Sequence, residues 1–476
     1  MKDVLVIGGG VIGGLVAREV SRYNLSCTLL EKESDVAMGA SKANSGIVHA
    51  GFDAKEGSLK AKFNVLGNKM MAEVTSELGV KYYNNGSLVV AFTDEDIETL
   101  AELKHRGEIN GVEGLEIVDR ETLKKMEPNI SDKALCALLA KTGGIVCPYE
   151  LTIASIGNAM DNGVELLTEF DVVKIDKQDD IFTVTAKDGR KISAKVIINC
   201  AGLGSGEISR LAGDDTVKVG ARKGEYILLD REVGDFVSHT LFFTPTEKGK
   251  GILVTNTVDG NILLGPTADN LDDADTTTTM GGLSFVSQKA KEMCNGVPFD
   301  RTITSFAGIR AYCDRHDFVI EESALVKNLI NCIGIESPGL TSAPAIAKYV
   351  VEDILGKIMP LTKKSNFDGR RQPDNFFKEM TVEQKNELIK RDPSYGKIVC
   401  RCEQITEGEI LHAIRVNPKA NDIDAVKRRT RSGMGRCQGG FCQPYVAELI
   451  AKERGISMTE VTKKGGNSKL LTGVTK

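Results

Sequence analysis

Four of the eleven cysteines crowd near the C-terminus, as Cys400-x-Cys402 and Cys437-x4-Cys442 with 34 residues between the pairs. Four thiolates in a small module hold either zinc or an iron–sulfur cluster. Structural zinc sites favour about two to four residues between paired cysteines, so a gap of one and then of four points toward the cluster while leaving zinc open. Gly433, Gly435, Gly439 and Gly440 flank the second pair and would let backbone N–H groups approach the sulfurs, which raises a cluster's potential. Lys427, Arg428, Arg429 and Arg431 offer a positive field beside an anionic cluster, or else an ordinary solvated basic face. The module has few aromatics for base stacking, so no nucleic-acid partner is expected.

A second chemistry-bearing pattern opens the chain. Gly8-x-Gly10-x-x-Gly13 lies between an apolar strand (DVLVI, 3–7) and a segment with helical apolar spacing, and Glu31 closes the next strand (SCTLLE, 26–31). The first glycine permits the tight turn, the second lets backbone reach a pyrophosphate, and the third lets helix pack on strand. The helix N-terminus offers unpaired N–H groups to phosphates, and Glu31 can accept from a ribose diol. This site alone does not separate FAD from NAD. Two further glycine elements, VIINCAGLGSG (196–206) and Ser337-Pro338-Gly339-Leu340 before a helix, suit backbone lying against a flat cofactor. That last helix N-terminus would stabilise negative charge on a reduced flavin.

The elements that must position these residues divide into modules. At 476 residues the chain is long enough for about two to four domains. Apolar residues with glycine make about half of it, the usual soluble globular share. No apolar run reaches the roughly 18 residues of a membrane span. MKDVLVIGGG reads as a strand entering a turn, so export is not expected. Short strands with local connections fill 164–199, with Asp188-Gly189 as a hairpin turn, and Asp259-Gly260 repeats the signal. Residues 216–304 therefore read as a mostly antiparallel sheet with a helix near 284–294. Residues 360–396 read as a polar linker holding one amphipathic helix, opened by a capping box at Thr381 and Gln384. A second box, Thr406 and Glu409, starts a helix just after Cys402. From residue 396 onward Lys/Arg number 15 against 8 Asp/Glu, a net of +7, so the remainder carries −12 of the overall −5. The last dozen residues read as frayed.

GGGVIGG, SKANSGIVHAGF, CAGLGSG, GNILLGPTA, GIRAYCDRHDF and IESPGLTSAPAIA together resemble the D-amino-acid-oxidase-like flavoproteins, over roughly residues 1–360. Within that superfamily the chain looks like flavin-dependent glycerol-3-phosphate dehydrogenases and oxidases, with L-2-hydroxyglutarate oxidases as close relatives. VCRCEQITEGEI and TRSGMGRCQGGFC, within 395–450, resemble the [2Fe–2S] domain of bacterioferritin-associated ferredoxins.

The resemblance implies a fold of three parts. An α/β Rossmann-like FAD-binding domain would be assembled from 1–80, 145–215 and 305–360. An antiparallel-sheet (α+β) substrate domain would comprise 81–144 and 216–304. A linker over 361–395 would lead to a small helical [2Fe–2S] ferredoxin-like domain over 396–455 and a tail over 456–476. Carried over residue by residue, Gly8, Gly10, Gly13, Glu31, Ser41, Asn44, Ser45, Gly46, Val173, Ala201, Gly202, Gly339, Leu340 and Thr341 would contact FAD. His49 would be the base for a substrate hydroxyl, with Lys250 and Arg310 holding the substrate anion and Ser337 bonding the substrate; Lys248 is the alternative to Lys250. Cys400, Cys402, Cys437 and Cys442 would hold the cluster.

The implied activity is FAD-dependent oxidation of sn-glycerol 3-phosphate to dihydroxyacetone phosphate, with electrons leaving through the cluster to an electron-accepting redox protein. A 2-hydroxy-acid dehydrogenase, or an electron-transfer subunit without a substrate, are the alternatives. A cytoplasmic protein is implied, membrane-associated only through a partner and with no transmembrane segment of its own. One departure stands out: relatives often carry Pro and His where this chain has Asn256 and Asp259, a change expected to touch only the hairpin.

Overall fold

The computed structural model describes residues 1–245, 251–371 and 377–473. Strand Lys2–Ile7, whose last four residues are buried on both faces, forms the centre of an eight-stranded sheet. Strands buried on both faces must be continuously apolar, as VLVI is. Cys27–Leu30 and Lys191–Asn199 flank it in parallel, and Leu329–Ile333 adds in parallel to the C-terminal end of Lys191–Asn199. Val172–Gln178 and Ile181–Ala186 extend the sheet as the expected antiparallel hairpins, turning at Asp188-Gly189. Helix Val11–Val20 packs its buried face on this sheet beside helices Pro148–Asp161 and Gly339–Lys348. The C-terminal edges of the parallel strands thus point at one crevice, where ligands of open α/β sheets bind.

A nine-stranded, almost wholly antiparallel sheet forms the second body. Its longest pairing runs between Val219–Leu229 and Thr302–Cys313. The second of these strands crosses the boundary expected at residue 305, so the sheet of the substrate domain continues to Cys313 and the flavin side resumes with Val319–Glu322. The reason is the unbroken register, which pairs Arg222 with Arg310 and Val219 with Cys313. Ser87–Ala91, Leu115–Asp119 and Cys136–Ala140 complete the sheet from the earlier segment. Helix Met280–Met293 covers one face through Val286, Ala290 and Met293.

The C-terminal module has its own core around Ile410, Ala413, Val426, Val446 and Ile450. Helices Glu407–Arg415, Ile423–Thr430 and Gln443–Arg454 enclose it, and the first opens on the expected capping box of Thr406 and Glu409. The box at Thr381 and Gln384 also forms, at the start of Val382–Arg391. The segment before it is strapped to the flavin side: Lys364 N–H donates to Arg22 O (2.8 Å), Arg371 N–H to Glu77 O (2.8 Å), and Asn158 and Asn162 amides to Asp368 O.

Two expectations are corrected. The tail is held as far as Lys469: Thr462 bridges Lys469, Lys463 N–H donates to Ser468 O (2.8 Å), and Ile423 and Asp424 N–H groups donate to Thr462 and Lys463 carbonyls. Those carbonyls satisfy the first N–H groups of helix Ile423–Thr430, which have no partner within the helix. The basic run is not a solvated face either. Arg428 and Arg429 are buried against Asp35 (2.6 and 2.8 Å), and Arg431 against Asp259 (2.6 Å) and Glu403 (3.0 Å).

Candidate functional site

The turn after Lys2–Ile7 builds one end of a continuous cleft of about 1350 Å³. Gly8 has φ +113°, and a Cβ there would lie 2.4 Å from Cys200 O, so only glycine fits. A Cβ on Gly13 would lie 1.9 Å from Gly8 O; this residue sets the helix against the turn and does not itself line the cleft. Gly8→Ala is expected to yield protein with little or no flavin, read as the visible-to-280 nm absorbance ratio after purification. Full flavin content in that variant would contradict the assignment.

Glu31 is buried and joins two loops, its Oε2 accepting from Gly9 N–H (2.7 Å) and its Oε1 from Glu33 N–H (2.9 Å). Burial raises its pKa above the usual carboxylate value, against the pull of those two backbone donors. Ser41 Oγ accepts from Val11 N–H (2.9 Å) at the first turn of the helix. Asn44 shapes the loop beyond, its side chain accepting from Gly46 N–H (2.9 Å) and donating to Ala40 O (3.0 Å). Gly46 then bonds to the neighbouring strand, its O accepting from Val146 N–H (2.8 Å). Ser45 faces the Tyr226 hydroxyl, and burial raises that phenol's pKa.

Gly8, Gly10, Glu31, Ser41, Asn44, Ser45, Ala201, Gly202, Gly339 and Leu340 all line the cleft, whereas Gly46 and Thr341 lie behind it. Val173 is the exception among the carried-over positions: it is exposed, and Val172, one residue earlier in the strand, lines the cleft instead. Successive strand residues face opposite sides, so a one-residue offset moves the contact across the sheet.

At the other end, His49 Nε2 lies 3.3 Å from Ser337 Oγ. The histidine backbone is fixed from both sides. Its N–H donates to Thr341 Oγ1 (2.9 Å), and its O accepts from the Asn64 (2.7 Å) and Asn68 (3.1 Å) amides. Thr341 is thus fully buried as the anchor of the His49 loop. Across the cleft, Arg310 Nη2 donates to Thr267 O (2.5 Å) and Lys223 O (3.2 Å). Two carbonyls on one nitrogen fix the guanidinium plane and leave its other N–H groups for a ligand. Lys250 and its alternative Lys248 lie outside the described residues.

Sequence reasoning missed several residues. Glu336 lies in the cleft between Lys60 (3.0 Å) and Arg222 (3.2 Å), which fixes the charge beside Ser337. Gly224 and Gly308 face each other in the long strand pair. A Cβ on Gly224 would sit 2.8 Å from Arg310 Nη2 and 2.7 Å from Pro266 Cβ. A Cβ on Gly308 would sit 1.8 Å from Ala43 O in the flavin-side loop. A glycine inside a strand marks such a close approach, and that signal was present in KGEY and GIRAY.

The four cysteines come together as two pairs. Cys402 and Cys437 Sγ lie 3.5 Å apart, and Cys400 and Cys442 hydrogen-bond to each other. Among the described residues no three His, Cys, Asp or Glu side chains converge on a single-ion site. Two close pairs match a cluster with one thiolate pair on each of two irons better than one tetrahedral zinc. Gly433 and Glu403 N–H groups point at Cys400, and those of Gly439, Gly440 and Phe441 at Cys437. The hydrogen bond between Cys400 and Cys442 draws the Cys442 thiol down to about 7 and pushes the Cys400 thiol up. Asp259 is more than a hairpin residue. With Asn261 (3.0 Å to Arg431 Nη2) it receives Arg431, which docks this module on the substrate domain.

The sequence matches the family "FAD dependent oxidoreductase" over residues 3–353. The chain belongs to that family. Residues 398–452 of this oxidoreductase match the "BFD-like [2Fe-2S] binding domain", which contains all four cysteines of the cluster site. A glycerol 3-phosphate dehydrogenase of Caloramator mitchellensis is 48% identical over 100% of the oxidoreductase and 99% of that relative. A glycerol 3-phosphate oxidase of Mycoplasma genitalium is 34% identical, over 77% of the oxidoreductase and 97% of its own length. The dithionite-reduced L-α-glycerophosphate oxidase of Mycoplasma pneumoniae, solved with FAD bound, superposes with a TM-score of 0.75 at 32% identity, covering 78% of the oxidoreductase and 98% of that chain. The glycine-walled cleft and the paired thiols fit FAD and a [2Fe–2S] cluster, which are its two cofactors. Among the described residues no helix is long and apolar enough to cross a membrane.

Proposed function

We propose that this chain oxidises sn-glycerol 3-phosphate to dihydroxyacetone phosphate and passes the electrons through its cluster to a partner redox protein. The observation that carries the reading is one cleft lined by the dinucleotide turn, His49 with Ser337, and the carbonyl-fixed guanidinium of Arg310. The full-length similarity to the Caloramator dehydrogenase supports the phosphate ester as substrate.

FAD, when bound, supplies the hydride acceptor, and the cluster supplies a one-electron exit. The residues of the chain do the rest. Gly8, Gly10, Glu31, Ser41, Asn44, Ser45, Ala201, Gly202, Gly339 and Leu340 hold the cofactor. Arg310, with Lys250, binds the substrate phosphate and thereby fixes the polyol; the planar fork of arginine suits phosphate oxygens. Ser337 bonds the substrate hydroxyl and orients the imidazole. His49 Nε2 then takes the C2 hydroxyl proton, so that the carbonyl forms as hydride leaves carbon.

Gly224→Ala tests the anion contact without deleting a polar group. It is expected to push Arg310 off its carbonyls and lower kcat/KM by about 10²-fold, as misplacement by roughly 1 Å does. Flavin content should not change. Unchanged kcat/KM would remove Arg310 from substrate binding.

The overall reading is tested by anaerobic mixing of the holoprotein with glycerol 3-phosphate, L-2-hydroxyglutarate and D-amino acids in turn, following the flavin band. Bleaching by glycerol 3-phosphate is the expected result. Bleaching by L-2-hydroxyglutarate alone would replace the proposal with the 2-hydroxy-acid reading, and bleaching by none with the electron-transfer subunit.

A further inference from the structure

The cluster site has an inner and an outer side. Cys400 and Cys442 are 1% and 3% exposed, while Cys402 and Cys437 are half-buried and border solvent. Beside that outer edge stands Phe441, 85% exposed and with no aromatic or cationic ring partner among the described residues. Its own N–H points at Cys437, so the Phe441 backbone is held against the sulfur by the loop that wraps the site. Among the described residues no ring or cation packs on this side chain, and aromatic residues are enriched at protein interfaces.

Two exposed arginines flank it, one of them paired with carboxylates of the substrate domain. Arg401, between two ligands, is exposed and makes no ion pair among the described residues. Arg436, next to Cys437, is 60% exposed and reaches Asp230 (3.1 Å) and Glu232 (3.5 Å) at the edge of the substrate domain. Gln404, Gln438 and Gly440 are exposed and neutral. The carboxylate between these elements, Glu403, is buried under Arg431 and Arg231 and shows no charge to solvent. Exposed cations around an apolar anchor attract an acidic surface and steer its approach.

We infer that the face formed by Phe441, Arg401 and Arg436 at the Cys402–Cys437 edge is the docking surface for an acidic one-electron carrier protein. The inference rests on the proposed electron exit but specifies where it lies and what fits it. The three arginines of the 427–431 run do not contribute to this face, because they dock the domain to the rest of the chain.

The test is binding, measured on the oxidised holoprotein with an acidic plant-type [2Fe–2S] ferredoxin as probe. Cluster content is checked separately by the EPR signal after dithionite reduction. Neither measurement needs substrate turnover, so a failure here is distinct from a failure of the substrate assignment. Phe441→Ser and Arg401→Glu are each expected to weaken binding at least tenfold with the EPR signal unchanged, and raising salt is expected to slow association. Lys125→Glu, on a surface helix of the substrate domain, should bind like the parent. Three results would overturn the inference: equal binding by all variants, equal weakening by Lys125→Glu, or retention of the Phe441 and Arg401 effects only on anionic lipid vesicles. Arg401→Glu alone suffices should Phe441→Ser lose its cluster.

Discussion

His49→Asn is expected to retain FAD and to lower kcat by about 10²–10⁴-fold, the range over which a positioned general base contributes. The flavin should remain because the loop is held through backbone atoms: His49 N–H to Thr341, and His49 O to Asn64 and Asn68. Asparagine keeps those backbone bonds but has no nitrogen that accepts a proton at neutral pH. Stopped-flow bleaching under nitrogen with glycerol 3-phosphate reads the loss, and flavin absorbance reads retention. Near-normal bleaching would remove His49 from the base role and leave it as a hydrogen-bonded member of the cleft wall.

Asp35→Ala is expected to loosen the C-terminal domain from the flavin side, at a cost of about 3–5 kcal/mol, the usual penalty for orphaning a buried charge. Asp35 takes Arg428 on Oδ2 (2.6 Å) and Arg429 on both oxygens (2.8 and 2.9 Å), and Arg429 is completely buried. Removing the carboxylate leaves two guanidinium groups without their charge partner in a dry interface, although the Pro418 and Ala425 carbonyls still accept from Arg429. Faster hydrogen exchange through helix Ile423–Thr430, and tryptic cleavage within it, would report the change. Protection equal to the parent would show that the Arg431–Asp259 pair and the hydrogen bond from Ser34 Oγ to Asp422 (2.9 Å) suffice.

The same pair sets an acid limit. Burial opposes ionisation of Asp35, but Arg429 and Arg428 overcome it and hold the carboxyl at about 2. The folded value lies below the unfolded one of roughly 3.9. Its contribution is therefore complete above about pH 4 and is lost as pH falls toward 2. The parent should show this loss on denaturant unfolding across that range, and Asp35→Ala should not.

Much of the flavin side was legible because its chemistry is local. The turn around Gly8 and the hairpin at Asp188-Gly189 rest on residues a few positions apart, as do the two capping boxes further along the chain, and the acid at the end of the next strand lies within the same strand–helix–strand unit. The cluster was legible through spacing within one short module. What escaped depends on partners far apart in the chain. Asp259 reads as a turn residue until Arg431 lies beside it, 172 positions later. The basic run reads as a field beside the cluster, or as a solvated face, until Asp35 is seen beneath it. Val172 and Val173 differ only in which side of a strand faces the cleft, and a resemblance carried by motif does not fix that offset. Gly224 is ordinary until Gly308 and Arg310 are placed opposite.

The strap over residues 361–371 bears on how the second cofactor travels. Its bonds to Arg22, Glu77, Asn158 and Asn162 tie the chain down well before it reaches the cysteines, and the buried arginines clamp it again beyond. The domain is thus not a swinging arm on a tether. Internal transfer should proceed at the same rate in thick and thin solvents, with glycerol or sucrose slowing only the encounter with an outside carrier.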